Sequence, residues 1–536
     1  MDVDYLIVGS GSAGCVVAER LGRQPNAKIL VLEAGPEDNS LWIRMPLGYG
    51  KLFYDQKYNW SYTAQPDQGL LCRQDYWPRG RVVGGSSSIN AMVYIKGDAY
   101  GYSKWQEATG DIGWGPASMA AQLQKIENFE LGGNEWRGEK GPMPVHSIHK
   151  EAHPLTEAFL NGCEELGLPK NPDFNGATQE GVGLYQINTR RGKRVSASDA
   201  FLRPALRRGN VMLYSEAQVL NLVFDNNLCV GVCYRRDGKI LFQRALKEVI
   251  LASGAIESPK LLQLSGIGAA SLLQSHGIDV RLDNPNVGEN LQDHLGIGYN
   301  YISRKPTLNQ ELAPPLRRIF NGIRYLTNGS GPLALSVNQA GGFFRSSSAR
   351  QRPNIQLYLQ LLTTLEAKKG SRPLLTPDPH PVLSIAVTNT HPLSRGSIII
   401  AGPEPTAPPA IRPNAFSEPE DIKEMLEAVK FIRRLAATQS MKTVLGEEIR
   451  PGLKCNSDDE LIFDIRERST TVYHPCGTCA MGSSPKNSVL DSDLRVHGIL
   501  GLRVIDASSF PNLVSGNINV PVMLMASLAA ERIMKN

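Results

Sequence analysis

An α/β fold (α+β overall) spread over more than one domain follows from three features of the sequence. The N-terminus reads strand, glycine turn, helix, strand, the alternation that builds a parallel sheet. With 536 residues the chain exceeds the roughly 250–300 residues at which one hydrophobic core stops growing. From about Tyr299 the pattern changes to proline-rich stretches (TPDPHPV, PEPTAPPAIRP) and alternating runs such as IQLYLQL and VLSIAV, which read as strands of a second unit.

The first element is a short buried strand, Asp4 to Val8. It runs into Gly9-Ser10-Gly11-Ser12-Ala13-Gly14 and an apolar-periodic helix, CVVAERL. A second strand, KILVLEAG, follows and contains Glu33 and Ala34. This is the context a dinucleotide fingerprint requires, with glycines that let the backbone turn and approach a pyrophosphate at a helix N-terminus. Glu33 is placed to accept from ribose hydroxyls and would repel a 2′-phosphate, which disfavours NADP. The motif does not choose between NAD and FAD.

Composition narrows the rest. Hydrophobic residues make up 41% and charged residues 20%, the balance of an ordinary globular protein. The net charge of +5 is small for this length and argues against nucleic acid as a partner. No apolar run reaches the roughly 18–20 residues of a membrane-spanning helix, and the first strand leaves no room for a secretory signal. A cytoplasmic protein is expected, with peripheral membrane association left open. Eight cysteines over such a length are not a disulfide scaffold. Cys229 with Cys233 and Cys476 with Cys479 have the spacing of a four-thiolate zinc site, but LCVGVCY reads as a strand with small buried thiols, and no metal is expected.

Gly80 to Asn90 (GRVVGGSSSIN) joins two adjacent glycines to three serines and continues into the apolar AMVYI. Small residues in a row let backbone approach a flat ring closely. This segment to Gly97 resembles the first signature of the glucose–methanol–choline (GMC) oxidoreductases, in their choline-dehydrogenase-like branch. Gly254 to Gly268 (GAIESPKLL through SGIG) resembles the second signature. VGENLQDHL (Val287–Leu295), YHPCGTCAMG (Tyr473–Gly482) and LRVIDASSFPNLVSGNINVP (Leu502–Pro521) are further family-like segments, in the family's order.

The resemblance implies a Rossmann-type FAD-binding domain plus a substrate domain with an antiparallel sheet flanked by helices. The expected boundaries are 1–140, 196–298 and 455–536 for the first, 141–195 and 299–454 for the second. Gly9, Gly11, Ser12, Ala13, Gly14, Glu33 and Ala34 would hold the ADP half. Val83, Gly85, Asn90, Ala91 and Val93 would run beside the isoalloxazine, with Arg81 and Met92 as further expected cofactor contacts. Val219 would contact the adenine end, Asp506 and Ala507 would lie near the ribityl chain and pyrophosphate, and Ser253 is a further expected cofactor contact. Tyr473 and Val520 complete the expected cofactor contacts. Some family members attach FAD through a histidine where this chain has Ile89, so non-covalent FAD is expected.

Oxidising an alcohol requires a base for the hydroxyl proton as hydride leaves the carbon, and histidine suits that role. Of nine histidines, His474 lies in the YHPCGTC segment that resembles the family's catalytic one. The second catalytic residue is expected to be Asn519, near the start of an apolar-periodic helix from Val522 to Met534, with Asn517 read as that helix's N-cap. The implied reaction is oxidation of a small-molecule alcohol by hydride transfer to FAD, with oxygen or a quinone or other electron carrier as acceptor. Redox-neutral flavin chemistry, as in a lyase or photodecarboxylase, and an NAD-binding protein without flavin are the alternatives. The family usually has glutamate where this chain has Ser527. Asp421 to Ala437 reads as an amphipathic helix, and Tyr49 to Tyr62 as an aromatic cover over the flavin's edge.

Overall fold

The structure, a computed structural model, describes residues 2–364 and 377–535. Thr376 of the TPDPHPV run, and the stretch of the expected second domain between 365 and 376, lie outside the described residues. Among the described residues no helix is long and apolar enough to cross a membrane.

The first sheet is mixed and runs 211–214, 29–32, 3–8, 239–251, 228–236, 218–225, with 502–504 pairing the long strand Lys239–Leu251. That strand serves two partners. Its last residues, Ala245 to Leu251, pair in parallel with Val3–Val8, and its first, Lys239 to Arg244, pair antiparallel with Leu228–Arg236. The parallel part is covered on both sides, so Leu6 to Val8 and Ile29 to Leu32 are buried without alternation. The helix Ser12–Leu21 covers it, packed against the C-terminal helix Asn519–Lys535. Gly14 permits the helix to start this close: a methyl group there would collide with the Gly9 carbonyl oxygen. Ser527, at the position where glutamate is usual in the family, is buried between the two helices. Its hydroxyl donates to Gln122 Oε1 at 2.7 Å and accepts from Arg20 Nε at 3.2 Å.

The second sheet is antiparallel, in the order 445–450, 295–303, 382–389, 355–360, 338–344, 181–184. Its side chains alternate between two environments. Leu357 and Leu359 face the helices Leu155–Glu165, Pro419–Ala436 and Asp458–Arg468 in one apolar core. Tyr358 and Gln360 point the other way, into the site cavity. The amphipathic helix expected at 421–437 is thus present two residues earlier at its start.

One expected domain limit falls inside one of these elements and a second falls just before another. Leu295–Ser303 is one continuous strand, so no boundary can sit at 298. The helix Asp458–Arg468 buries Leu461 and Ile465 in the second core, and Thr470–Thr471 pairs with Leu295–Gly296, so the second sheet's unit continues past 454 to about residue 471.

Candidate active site

A single cavity of about 530 Å³ extends from the N-terminal glycine turn to the second sheet, within the ~300–1,000 Å³ range of small-molecule and cofactor sites. Gly9, Gly11, Ser12, Ala13, Glu33 and Ala34 line one end. Gly85, Asn90, Ala91, Met92 and Val93 line the middle, with Val219, Ser253, Asp506 and Ala507 along the same walls. Tyr473, His474 and Asn517 close the other end, and Asn519 also lines the cavity. Four expected contacts do not face the cavity. Gly14 is used for helix packing, Arg81 stacks over the Trp60 ring at 5.1 Å, and Val83 and Val520 are buried in the first core. Of the aromatic stretch, Tyr49, Phe53, Trp60 and Tyr62 reach the lining.

The Rossmann end is tightly tied. Glu33 Oε2 accepts from Ser10 N (2.9 Å) and Ser10 Oγ (2.7 Å), and Oε1 accepts from Gly35 N (2.9 Å). Asp506 joins the last strand to the N-terminus of the helix Gly254–Leu264, accepting from Gly254 N at 2.9 Å and Ser258 Oγ at 2.6 Å. Burial pushes both carboxyls above the usual range. Gly85, at φ +55°, brings the glycine–serine turn against the first glycine motif, where an added Cβ would lie 2.6 Å from Gly11 Cα. The two motifs therefore form one cradle.

At the opposite end, His474 is held by its own backbone. Tyr473 sits at φ +72°, a left-handed conformation for a bulky residue, and its ring meets Phe53 edge-on at 5.2 Å. Tyr473 O accepts from Arg79 Nη2 at 2.7 Å, and His474 N donates to Asp293 Oδ1 at 2.8 Å. Cys476 and Gln292 exchange backbone hydrogen bonds at 2.9 and 3.0 Å. The VGENLQDHL segment is thus the bed of the YHPCGTC loop. Burial pushes the Asp293 carboxyl up to about 7 and the Arg79 guanidinium down to about 10.

The imidazole of His474 has a defined proton arrangement. His294 Nε2 lies 2.9 Å from the Thr390 carbonyl oxygen, which can only accept, so His294 carries its proton on Nε2. Burial pushes His294 down to about 3, so it is neutral and its Nδ1 is a lone pair. His474 Nδ1 lies 3.0 Å from that lone pair and must donate to it. Burial, then the neighbouring His294 and Arg79, hold the His474 imidazolium pKa well below the ordinary histidine value. His474 Nε2 is therefore an unprotonated acceptor aimed into the cavity.

Its neighbour there is Asn517. Asn517 Nδ2 is 3.1 Å from His474 Nε2, and Asn517 Oδ1 accepts from Gln356 Nε2 at 3.4 Å, which sets the amide's orientation. Asn519 does not reach His474. It is the first residue of the C-terminal helix, and its Oδ1 accepts from Ser12 Oγ at 2.6 Å, on the cavity's Rossmann side. The residue paired with the histidine is Asn517, in the extended turn after Gly516, and not the expected Asn519. His294 and Asp293 were also not singled out, although both lie in VGENLQDHL. Tyr358 lines the cavity, whereas Phe344 stacks on Phe431 in the second core, centroids 4.2 Å apart.

Cys476 and Cys479 are buried, and burial pushes both thiols well above the usual range, which leaves little thiolate for alkylation. Among the described residues no group of three or more His, Cys, Asp or Glu side chains is arranged to hold a metal ion, so the four cysteines do not assemble a zinc site.

Comparison with known proteins gives consistent results. Family models described as GMC oxidoreductase match residues 3–296 and 392–526. An alcohol dehydrogenase (acceptor) of Pseudomonas putida is 40% identical over 99% of this chain and 96% of its own length. Mitochondrial choline dehydrogenase of Homo sapiens is 38% identical over 99% of this chain and 89% of its own. The crystal structure of pyridoxine 4-oxidase from Mesorbium loti matches with a TM-score of 0.90 at 32% identity, covering 100% of this chain and 99% of that one.

Proposed function

The chain belongs to the GMC oxidoreductase family, and from that premise we propose that it oxidises a neutral alcohol with His474 as base and Asn517 as its partner at the substrate oxygen. It is an FAD-dependent oxidoreductase acting on CH–OH donors. The observation that carries the residue assignment is the position of His474 Nε2, 3.1 Å from the Asn517 amide nitrogen and in the same cavity as the Rossmann turn. The alternatives of a lyase or photodecarboxylase find no support in these relatives.

The residues present suit FAD. Gly9, Gly11 and Ser12 would hold its pyrophosphate at the helix N-terminus, Glu33 its ribose, and the Gly85–Val93 segment its ring. When bound, FAD supplies the two-electron acceptor for hydride from the carbinol carbon. An alcohol hydroxyl that replaces the direct Asn517–His474 hydrogen bond donates to His474 Nε2 and accepts from Asn517 Nδ2. The imidazole takes the proton as the hydride leaves, and Asn517 stabilises the charge developing on oxygen. His294 keeps the Nε2 lone pair in place by accepting from Nδ1. Gln356 keeps the amide from flipping.

We assign the cofactor to the unit around the first sheet and the substrate to the unit around the second. FAD is held without a covalent bond, because Ile89, in the cavity lining where some family members have histidine, has no nucleophilic atom. Acid precipitation of the holoenzyme should leave the flavin in the supernatant. A yellow pellet would refute this.

The substrate end is apolar and aromatic, with Phe53, Met92, Val337 and Tyr358 in its walls. Among the described residues the carboxylates lining the cavity are Glu33, Glu257 and Asp506, and each is already engaged: Glu33 and Asp506 as above, Glu257 by the Tyr62 hydroxyl at 2.5 Å. No wall residue from the second sheet is acidic, so a quaternary ammonium finds no counter-charge there. Choline should have a kcat/KM at least about tenfold below its carbon isostere, in which carbon replaces the quaternary nitrogen. Equal values, or a preference for choline, would reject the neutral-alcohol assignment. The acceptor is either oxygen or a quinone-type carrier, distinguished by running the same alcohol in air and anaerobically with a dye.

A further inference from the structure

The helix Pro315–Asn328 turns an apolar stripe outward. Leu316, Ile319, Phe320, Ile323 and Leu326 follow the spacing of one helix face, yet they are between 57% and 82% exposed. The opposite face is anchored. Asn321 and Tyr325 are buried, Asn321 Nδ2 donates to Glu311 O at 2.9 Å, and the Tyr325 hydroxyl donates to Arg44 O at 3.3 Å. Scattered exposed leucines need no explanation, but a contiguous stripe on a fixed helix marks a contact surface.

The charge around the stripe is predominantly positive, with Glu311 near Arg317 and Arg324 as an acidic neighbour. The sequence contains no Asp or Glu between Glu311 and Glu366, while Arg317, Arg318 and Arg324 flank the stripe. Gly192, in the hairpin 189–194, abuts the backbone of Gly329 at the helix's C-terminal end and brings Arg190, Arg191 and Lys193 alongside. Among the described residues none of these six cations forms an ion pair. Leu326 and exposed Leu41 share an open cavity of about 690 Å³ with Arg190 and Lys193, so apolar and cationic groups meet in one depression.

We propose that this face docks on an anionic lipid bilayer, the helix lying in the interface with its stripe among the acyl chains and its arginines on lipid phosphates. An outward apolar face edged by arginine is the arrangement of interfacial helices, and unpaired cations gain from an anionic leaflet. A second copy of this chain suits the face poorly, because a two-fold contact would set Arg317 and Arg318 against like charges. From the helix the chain runs through Pro332–Ala334 to Val337 and Asn338 in the wall of the site cavity, so docking sets that wall beside the lipid.

The test is sedimentation of the holoenzyme with phosphatidylcholine vesicles that do or do not contain phosphatidylglycerol. The wild type should pellet with the anionic vesicles, less so as salt is raised. Ile319→Ser with Phe320→Ser should lower the partition coefficient by about tenfold per side chain. Arg317→Gln, Arg318→Gln and Arg324→Gln together should lower it about a hundredfold, near fivefold per charge. Flavin reduction by a water-soluble alcohol should be unchanged in both variants. The proposal is overturned if the wild type stays in the supernatant, binds both vesicle types equally, or binds no better than the variants. It is also overturned if the serine variant dissociates an oligomer while its vesicle binding is unaltered.

Discussion

His474→Ala should slow flavin reduction by alcohol by about three orders of magnitude or more, the combined scale of general-base catalysis and positioning. The measurement is anaerobic stopped-flow bleaching of the flavin absorbance, which isolates the reductive step from reoxidation. The size of the effect follows from the site having no second acceptor in the same place: His294 spends its Nδ1 on His474 and its Nε2 proton on Thr390. The pH dependence has a definite sign. Burial disfavours the imidazolium, so the proton-free Nε2 persists as pH falls through the ordinary histidine value, and the acid limb of the reduction rate should lie below 6.5. The Asp293 carboxyl under the loop, raised to about 7, is a nearby group that could mimic a higher limb. An acid limb at 6.5 or above that survives Asp293→Asn would show that the base is not the buried His474, as would an alanine variant reduced at near wild-type rate.

Asn517→Ala should cost about a hundredfold in the same reductive step, the scale for removing one hydrogen-bond donor from a developing oxyanion. Asn519→Ala should change that rate far less. Its loss should appear in the cofactor instead, as an increase of about fivefold in the FAD dissociation constant, since the Ser12 hydroxyl it orients is at the pyrophosphate turn and one such bond contributes about 1 kcal/mol. The pair of variants separates two residues that are two positions apart. The reverse pattern, a slow Asn519 variant and a fast Asn517 variant, would return the catalytic role to Asn519.

The ambiguity between these two asparagines shows where the sequence stopped being legible. In an extended segment residues i and i+2 lie on the same side, so neither periodicity nor the approaching helix distinguishes them. What decides is the position at which the helix begins, and it begins on Asn519. His294 was hidden for another reason: its meaning comes from a partner 180 residues later, and only the folded loop brings the two rings together. By contrast, the glycine turn, Glu33 and the Gly85 cradle were readable because their chemistry is local and their spacing is set by backbone geometry. The expected limit at 298 cuts the strand Leu295–Ser303, where no break in composition marks the chain, and the one at 454 falls in the turn just before the helix Asp458–Arg468, which packs in the second core. The outward stripe of 315–328 was written in the sequence but obscured by the prolines around it.

Ser12 and Asn519 link the first helix of the chain to its last. Arg20 and Ser527 repeat that link one helix length further on. During synthesis on a ribosome the nucleotide-binding strand, turn and helix emerge long before the helix Asn519–Lys535 that backs them. The pocket for the ADP half is therefore unfinished until a segment 507 residues downstream of Ser12 has been made, and FAD loading waits on that segment. A nascent chain stalled before residue 519 should be unable to retain flavin, however well its first sheet has formed.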